Sequence, residues 1–471
     1  MTKETVLKHF KSHAPFPLKE DQREALDLFA QFYTDTSGEK QVFVLKGYAG
    51  TGKTTLVSII SNSLSSQRKD TYMMAPTGRA AKVMAAYSGR SAYTIHRSIY
   101  KFEGEDGASG LRFQKQKNRY KNMLFIVDEA SMISTSASDG ILAHLLEFVF
   151  EDSSNKLLIV GDDAQLPPIG EETSRALDWA WLEKEYFVGS LGYCLTQVIR
   201  QKEDSGILLN ATMLRENYRQ GKLEIELETK GYPDCFRMTG EKLSTGLEYA
   251  YRRGSMEDSI LICRSNKSAN LYNQLIRTQL LSKESELDAG DLVMIVKNNY
   301  KYPETDRSKT DFIANGDFAR ITRVRRTEEA YELRFADVEL ELVDFPEVGT
   351  FEAKVMLTTL NINTPNLDRE SSQRLYADVV ADYGVMETNR KERDKLVKAD
   401  PYLNALQIKF AYALTCHKAQ GGQWDYVFVD QGYLPDNTIT TDFVRWLYTA
   451  CTRAKQQLYF VNFHPSLFVS A

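Results

Sequence analysis

Val42-Phe43-Val44-Leu45-Lys46-Gly47-Tyr48-Ala49-Gly50-Thr51-Gly52-Lys53-Thr54-Thr55 runs from a short apolar segment through a glycine-rich turn into residues that favour a helix. A turn of this kind, at the end of a strand and the head of a helix, lets backbone N–H groups close around phosphate oxygens. In that setting Lys53 reaches the β- and γ-phosphates and the Thr54 hydroxyl ligates Mg²⁺, with Gly50, Thr51, Gly52 and Thr55 completing the cradle. The stretch therefore predicts both a parallel α/β sheet and a nucleoside triphosphate site, with ATP and Mg²⁺ as the expected cofactors.

Working outward, short apolar runs alternate with helix-favouring stretches from Gln41 to Gly89, which is the grammar of βαβ units and a parallel sheet. The pattern resumes at Met123 to Val127 and Lys156 to Val160, each followed closely by acidic residues. Val127-Asp128-Glu129-Ala130 places two carboxylates at a strand's C-terminal edge, where doubly wound sheets hold ligand chemistry. Asp128 is expected in the Mg²⁺ shell and Glu129 as the base that orients and deprotonates the attacking water.

The intervening stretch from Lys101 to Lys121 reads as a hairpin turning at Asp106-Gly107, followed by a basic tract of Lys115, Lys117, Arg119 and Lys121. After Leu195 a second α/β region begins, with Ser259 to Cys263 as a buried strand and Ala269 to Leu280 as the helix behind it. Leu292 to Val296, Phe318 to Val324, Tyr331 to Phe335 and Val338 to Val343 are short alternating runs that suggest a small β-barrel. Asp368 to Lys398 is charged and helix-favouring, read as an exposed arm, and the α/β pattern returns at Phe410 to Leu414 and Tyr426 to Val429.

Bulk properties narrow the function further. A 471-residue chain with 42% hydrophobic content is large enough for several packed units. Its formal charge of −5, from 59 Lys+Arg against 64 Asp+Glu, leaves no global field to hold nucleic acid, so any such path is a local groove. The five cysteines, Cys194, Cys235, Cys263, Cys416 and Cys451, form no C-x-x-C pair and argue against a zinc or disulfide framework. No secretory h-region or bilayer-length apolar run is present, which fits a cytoplasmic protein without membrane contact.

A guanine reader of the N-K-x-D type is missing: Asn266-Lys267-Ser268-Ala269 lacks the aspartate. The remaining motifs, in order from Phe16 to about Phe460, resemble superfamily 1 helicases of the RecD-like and phage Dda-like group. Pro17-Leu18-Lys19-Glu20-Asp21-Gln22 resembles the Q motif, which implies that the Gln22 amide donates to and accepts from adenine. Ala75-Pro76-Thr77-Gly78-Arg79-Ala80-Ala81 resembles motif Ia and Thr94-Ile95-His96-Arg97 motif Ib, which assigns Pro76, Thr77, Thr94 and His96 to single-stranded DNA. Gly161-Asp162-Asp163-Ala164-Gln165-Leu166-Pro167-Pro168 resembles motif III, with Gln165 sensing the γ-phosphate.

Leu195 to Gln201 resembles motif IV, which points Arg200 at the phosphates, and Ala413 to Gly421 resembles motif V. The latter implies DNA contacts at Thr415, His417 and Lys418, with Asn266 nearby and Gly421 on the nucleotide side. Leu447 to Ala454 resembles motif VI and makes Arg453 the finger supplied across a cleft, neutralising charge on the transferred phosphoryl group. Taken alone, His96 and His417 read more commonly as satisfied core histidines. Motif order raises both.

The resemblance implies an α/β fold of two RecA-like parallel-sheet lobes with an inserted pin hairpin, a small SH3-like barrel and a helical arm. Expected boundaries are 1–100 and 122–195 for lobe 1A, 101–121 for the pin, 196–288 and 409–471 for lobe 2A, and 289–408 for barrel and arm. Phe102 and Phe113 become wedge candidates. The implied activity is an ATP-dependent DNA helicase moving 5′-to-3′ on single-stranded DNA and acting at single-strand/duplex junctions, as a monomer. RNA tracks and protein partners stay open, and so do a translocase that displaces proteins without unwinding and an ATP-gated binding switch.

Overall fold

The computed structural model describes residues 2–65, 71–106, 110–135, 140–198, 205–299, 301–302, 313–386, 389–435 and 438–469; side chains of 102–106, 110–113 and 386 lie outside that description. Two parallel sheets carry the architecture. The first has six strands in the order Ala92–Thr94, Thr71–Ala75, Leu124–Val127, Lys156–Gly161, Gln41–Gly47 and Gly189–Leu195. Its interior strands are buried on both faces, because helices Glu20–Thr34 and Lys53–Ser65 cover one side and helix Ile141–Val149 the other. The sixth strand, Gly189–Leu195, lies at the sheet edge with only Leu195 buried and was not anticipated from the sequence; pairing with Gln41–Gly47 along its whole length defines it.

The second sheet runs Ala413–Thr415, Ser259–Cys263, Trp424–Asp430, Ala454–Val461, Cys235–Met238, again parallel. Both sheets are thus α/β lobes of the kind the βαβ grammar predicts. Strand order puts the crossover loops of each at one C-terminal edge, where ligand-binding side chains collect.

Inserted within the second lobe's sequence is a closed five-stranded barrel of Leu292–Ile295, Phe318–Ala330, Leu333–Leu342, Thr350–Met356 and Leu406–Phe410. Two expectations are corrected here. Tyr331 to Phe335 and Val338 to Val343 are not separate strands: after a tight turn at Tyr331 and Glu332, both in the left-handed region, one continuous strand pairs with both neighbours. The run from Phe410 to Leu414 is likewise divided, since Leu406–Phe410 closes the barrel whereas Ala413–Thr415 joins the second sheet. A continuous apolar run carries no mark of the point at which its hydrogen-bond partner changes.

The arm forms two helices, Arg369–Met386 and Arg390–Ala399. It is not wholly exposed: Leu375 and Val379 pack with Phe335 of the barrel and with Tyr402. The hairpin pairs Tyr100–Asp106 with Gly110–Lys115, its backbone register setting Phe102 opposite Phe113. Its base is tied down where Gln116 Nε2 donates to the carbonyls of Arg97 and Tyr100 at 3.1 and 2.7 Å. The side chains of Phe102 and Phe113 lie outside the described residues.

Candidate active site and strand-binding face

The phosphate cradle is built by backbone conformation. Gly50 and Gly52 have φ of 79° and 89°, a region that costs other residues energy, and the turn closes through Thr51 N and Oγ1, both donating to Tyr48 O at 3.2 and 2.8 Å. Helix Lys53–Ser65 starts directly behind it, with Thr54 exposed on its first turn and Thr55 beside it. Lys53 Nζ folds over the loop, donating to Gly47 O at 2.5 Å and Tyr48 O at 3.1 Å.

At the edge of the neighbouring strand, Asp128 accepts from the Tyr87 hydroxyl at 2.6 Å and from Glu129 N at 2.8 Å. Glu129 sits in the left-handed region at φ 53°. Burial pushes its carboxyl above the usual carboxylate range against the pull of Arg453; Asp128 adds to the rise and Lys53 opposes it. Three residues from three separate motifs therefore act on one carboxylate. Tyr87, on helix Gly78–Ser88, belongs to no motif and had no signal in the sequence.

Gln22 is buried, its Oε1 accepting from Lys19 N at 3.2 Å and its Nε2 without a hydrogen-bond partner among the described residues. The oxygen caps helix Glu20–Thr34, and the unpartnered Nε2 is the donor left for a nucleobase. Asp21 organises the same corner, accepting from Thr196 N and Gln197 N at 2.7 and 2.8 Å and so pinning the start of the motif IV segment. Arg200, expected at the phosphates, lies outside the described residues.

The second lobe meets this cleft through helix Thr441–Cys451. Tyr448 OH accepts from Ala49 N of the phosphate loop at 3.1 Å and donates to Asp162 Oδ2 at 2.6 Å. Arg445 donates to the carbonyls of Gln165, Glu172 and Asp163 at 2.7, 2.6 and 3.2 Å, and Thr449 Oγ1 accepts from Leu166 N at 2.9 Å. Gln165 is buried with Oε1 unpartnered among the described residues. Arg453 is buried too, donating to Thr449 O, Gly422 O and Thr452 Oγ1 within its own lobe. Arg215 of helix Gly206–Arg219 stacks on the Tyr48 ring at 4.4 Å, a cation beside the loop that motif reading missed.

The donor set suits ATP with Mg²⁺. An orphaned buried amide donor at Gln22 fits an adenine ring, and the hydroxyl of Thr54 with the carboxylate of Asp128 are hard oxygen ligands that leave most of a Mg²⁺ shell to water and phosphate.

The expected strand contacts fall on both lobes. Thr77 and Thr94 cap helices Gly78–Ser88 and Ile95–Ile99, each accepting at 3.2 Å from a backbone N–H, which leaves the hydroxyl proton free to donate outward. Pro76 precedes the first of these. His96 packs on the Tyr100 ring, and burial holds His96 and His417 below the usual histidine range, hence neutral. Asn266 opens helix Asn266–Leu275, while Thr415 ends strand Ala413–Thr415, paired to Ser259–Cys263, and His417 and Lys418 follow it. Burial pulls Lys418 down to about 8, and its Nζ has no partner among the described residues.

Gly421 lies where a Cβ would come within 2.8 Å of Ala80 Cβ, so motif V packs on motif Ia rather than on the phosphate loop in this arrangement. Beside it, Asp317 of the barrel is buried, and burial with a contribution from Asp344 pushes its carboxyl up to about 7.

Residues 17–231 match the family model of an AAA domain, and residues 410–461 that of a UvrD-like helicase C-terminal domain. The ATP-dependent DNA helicase dda of Enterobacteria phage T4 is 23% identical over 88% of this chain and 92% of its own length. The ATP-dependent RecD2 DNA helicase of Deinococcus radiodurans is 34% identical over a shorter region, 32% of this chain and 18% of its own. Pif1 helicase from Bacteroides, solved with ADP-AlF3 and ssDNA, aligns over 97% of this chain and 95% of its own at 17% identity and a TM-score of 0.49.

Proposed function

The chain belongs to the B subgroup of superfamily 1 helicases, and we propose that it hydrolyses ATP between its two lobes to move 5′-to-3′ along single-stranded DNA and open the duplex ahead. The observation that carries the catalytic half is the convergence on Glu129 of Lys53 and Asp128 from one lobe and Arg453 from the other. A buried carboxylate with two cations beside it can take a proton from water while charge on the departing phosphoryl group is neutralised.

Each residue then has a role. Lys53 and the loop amides hold the β- and γ-phosphates, Gln22 Nε2 donates to adenine, and Glu129 orients and deprotonates the water. Thr54 and Asp128 would hold Mg²⁺, which would supply charge neutralisation for the phosphates. Tyr87 keeps the Asp128 carboxylate oriented. Arg453 and Arg200 complete the phosphate shell from the second lobe.

Strand movement is supported by the placement of Thr77, Thr94 and His96 on one lobe and Asn266, Thr415, His417 and Lys418 on the other, since alternating grips on two bodies that close and reopen convert hydrolysis into steps. The similarity to the DNA helicases dda and RecD2 supports DNA as the track, and single-strand/duplex junctions are the working substrate. The barrel embraces the strand and the hairpin with Phe102 splits the pair. The unit acts as a monomer in the cytoplasm; among the described residues no helix is long and apolar enough to cross a membrane.

The test is ATPase activity with and without single-stranded DNA, then unwinding of forks with 5′ or 3′ tails. Stimulation by the strand, its loss in Lys53→Ala and Glu129→Gln, and unwinding of the 5′-tailed fork alone are the expected results. Turnover indifferent to DNA would sink the motor. DNA-stimulated turnover without unwinding would instead favour the protein-displacing translocase.

A further inference from the structure

The turn Thr77-Gly78-Arg79-Ala80 is touched from two sides. From the barrel, the Asp317 carboxylate lies so close to Gly78 that a Cβ there would collide with it. From the second lobe, a Cβ on Gly421 would stand 2.8 Å from Ala80 Cβ and 3.4 Å from Thr77 Oγ1. One helical turn on, Lys82 donates to Val343 O at 3.2 Å and lies 3.5 Å from Asp344 Oδ1 on the barrel side.

Arg79 joins both sides at once. Its guanidinium is 4.4 Å from the ring centre of Phe318 on the barrel and 4.2 Å from that of Trp424 on the second lobe. The two rings are themselves in contact, with centres 6.4 Å apart, and both are almost fully buried. Among the described residues Arg79 forms no ion pair; Asp344, Glu257 and Asp258 offset its burial only from a distance. Its hold is therefore mainly the two ring faces.

We propose that Arg79 is a positioning residue for strand binding, tying the turn that carries Thr77 to the barrel and to the second lobe together. The proposal rests on the reading of the chain as a strand motor. A planar cation on ring faces is held without a fixed hydrogen-bond direction, so the turn can slide as the lobes close while staying attached. Lysine at the same place keeps the charge but lacks the plane. Methionine keeps the apolar reach but lacks both.

The consequence is a link between three grips on the strand. When the barrel and second lobe are docked, Thr77 is held at its working height; when either departs, motif Ia loses the supports on that side. Nothing in the chemistry of hydrolysis passes through Arg79, so turnover without DNA should not depend on it.

The experiment titrates the full-length chain with oligo-dT and reads three quantities in wild type, Arg79→Lys, Arg79→Met and Lys82→Gln. These are ATPase without DNA, the oligonucleotide concentration for half-maximal stimulation, and nucleotides travelled per ATP. In both Arg79 variants half-saturation should rise about fivefold and travel per ATP should fall, with the DNA-free rate unchanged. Lys82→Gln should shift half-saturation in the same direction by a smaller factor. Unchanged half-saturation and travel in both Arg79 variants would overturn the proposal, as would a proportional drop of DNA-free and DNA-stimulated rates. Absence of any stimulation in wild type would defeat the strand-motor reading itself, and the proposal with it.

Discussion

The Tyr448 hydroxyl of the second lobe donates to Asp162 Oδ2 of the first at 2.6 Å while accepting from the phosphate-loop amide of Ala49 at 3.1 Å. One oxygen thus spans the catalytic cleft, touching the cradle and the motif III strand end together. Burial pushes the Asp162 carboxyl up, with Lys53 and the Tyr448 hydroxyl pulling the other way.

Tyr448→Phe deletes that bridge and leaves a buried carboxylate and an amide short of a partner. Stability should fall by about 1–3 kcal/mol, and DNA-stimulated kcat by roughly tenfold as the lobes lose their register. Thermal unfolding alongside steady-state kinetics reads both. A variant with wild-type kcat would show that the bridge is packing only.

Arg445 presents its fork to the carbonyls of Asp163, Gln165 and Glu172 from the opposite lobe. Lysine cannot serve three carbonyls with that geometry, so Arg445→Lys should cost about 2–3 kcal/mol in denaturant unfolding and raise KM for ATP. An unchanged midpoint would mean that this lobe contact is dispensable in solution.

Glu129 is raised by burial and restrained by Arg453. The base works deprotonated, so kcat should rise with pH through a midpoint above the ordinary carboxylate value. Arg453→Ala removes the leading restraint, and the midpoint should move further up while kcat falls by roughly a thousandfold. The pH profile of the variant decides: a midpoint that stays put separates Arg453 from the base.

Lys418 lies near 8 through burial, and Lys409 is brought to about 8 by burial and by Lys418 itself. Both are charged forms disfavoured by folding. Between about pH 8 and the ordinary lysine range the unfolded chain holds more protons, so these groups make stability rise with pH there. Strand affinity runs the other way, because a phosphodiester needs the ammonium: anisotropy with labelled oligo-dT should weaken as pH climbs through about 8. Lys418→Gln should flatten that dependence; an equally steep curve in the variant removes Lys418 from the strand contacts.

The sequence by itself determined the parts of this protein that rest on local backbone chemistry. The glycines around Lys53, the apolar run before them and the carboxylates after Val127 specify a strand, a turn and an edge through neighbours in the chain, and the parallel lobes follow from the alternation around them. The turn pattern between Gly290 and Phe345 announced a barrel for the same reason.

What only the tertiary structure decided are relationships between residues from 41 to hundreds of positions apart. The donor Tyr87 behind Asp128, the fork of Arg445 on motif III, and the contact of Arg79 with Phe318 and Trp424 join elements whose sequences carry no trace of one another. The same holds for the break at Phe410, where one apolar run serves two sheets. Local propensity depends on a few neighbouring residues; burial, pairing and charge contact depend on which distant surface arrives, and the chain's order does not state that.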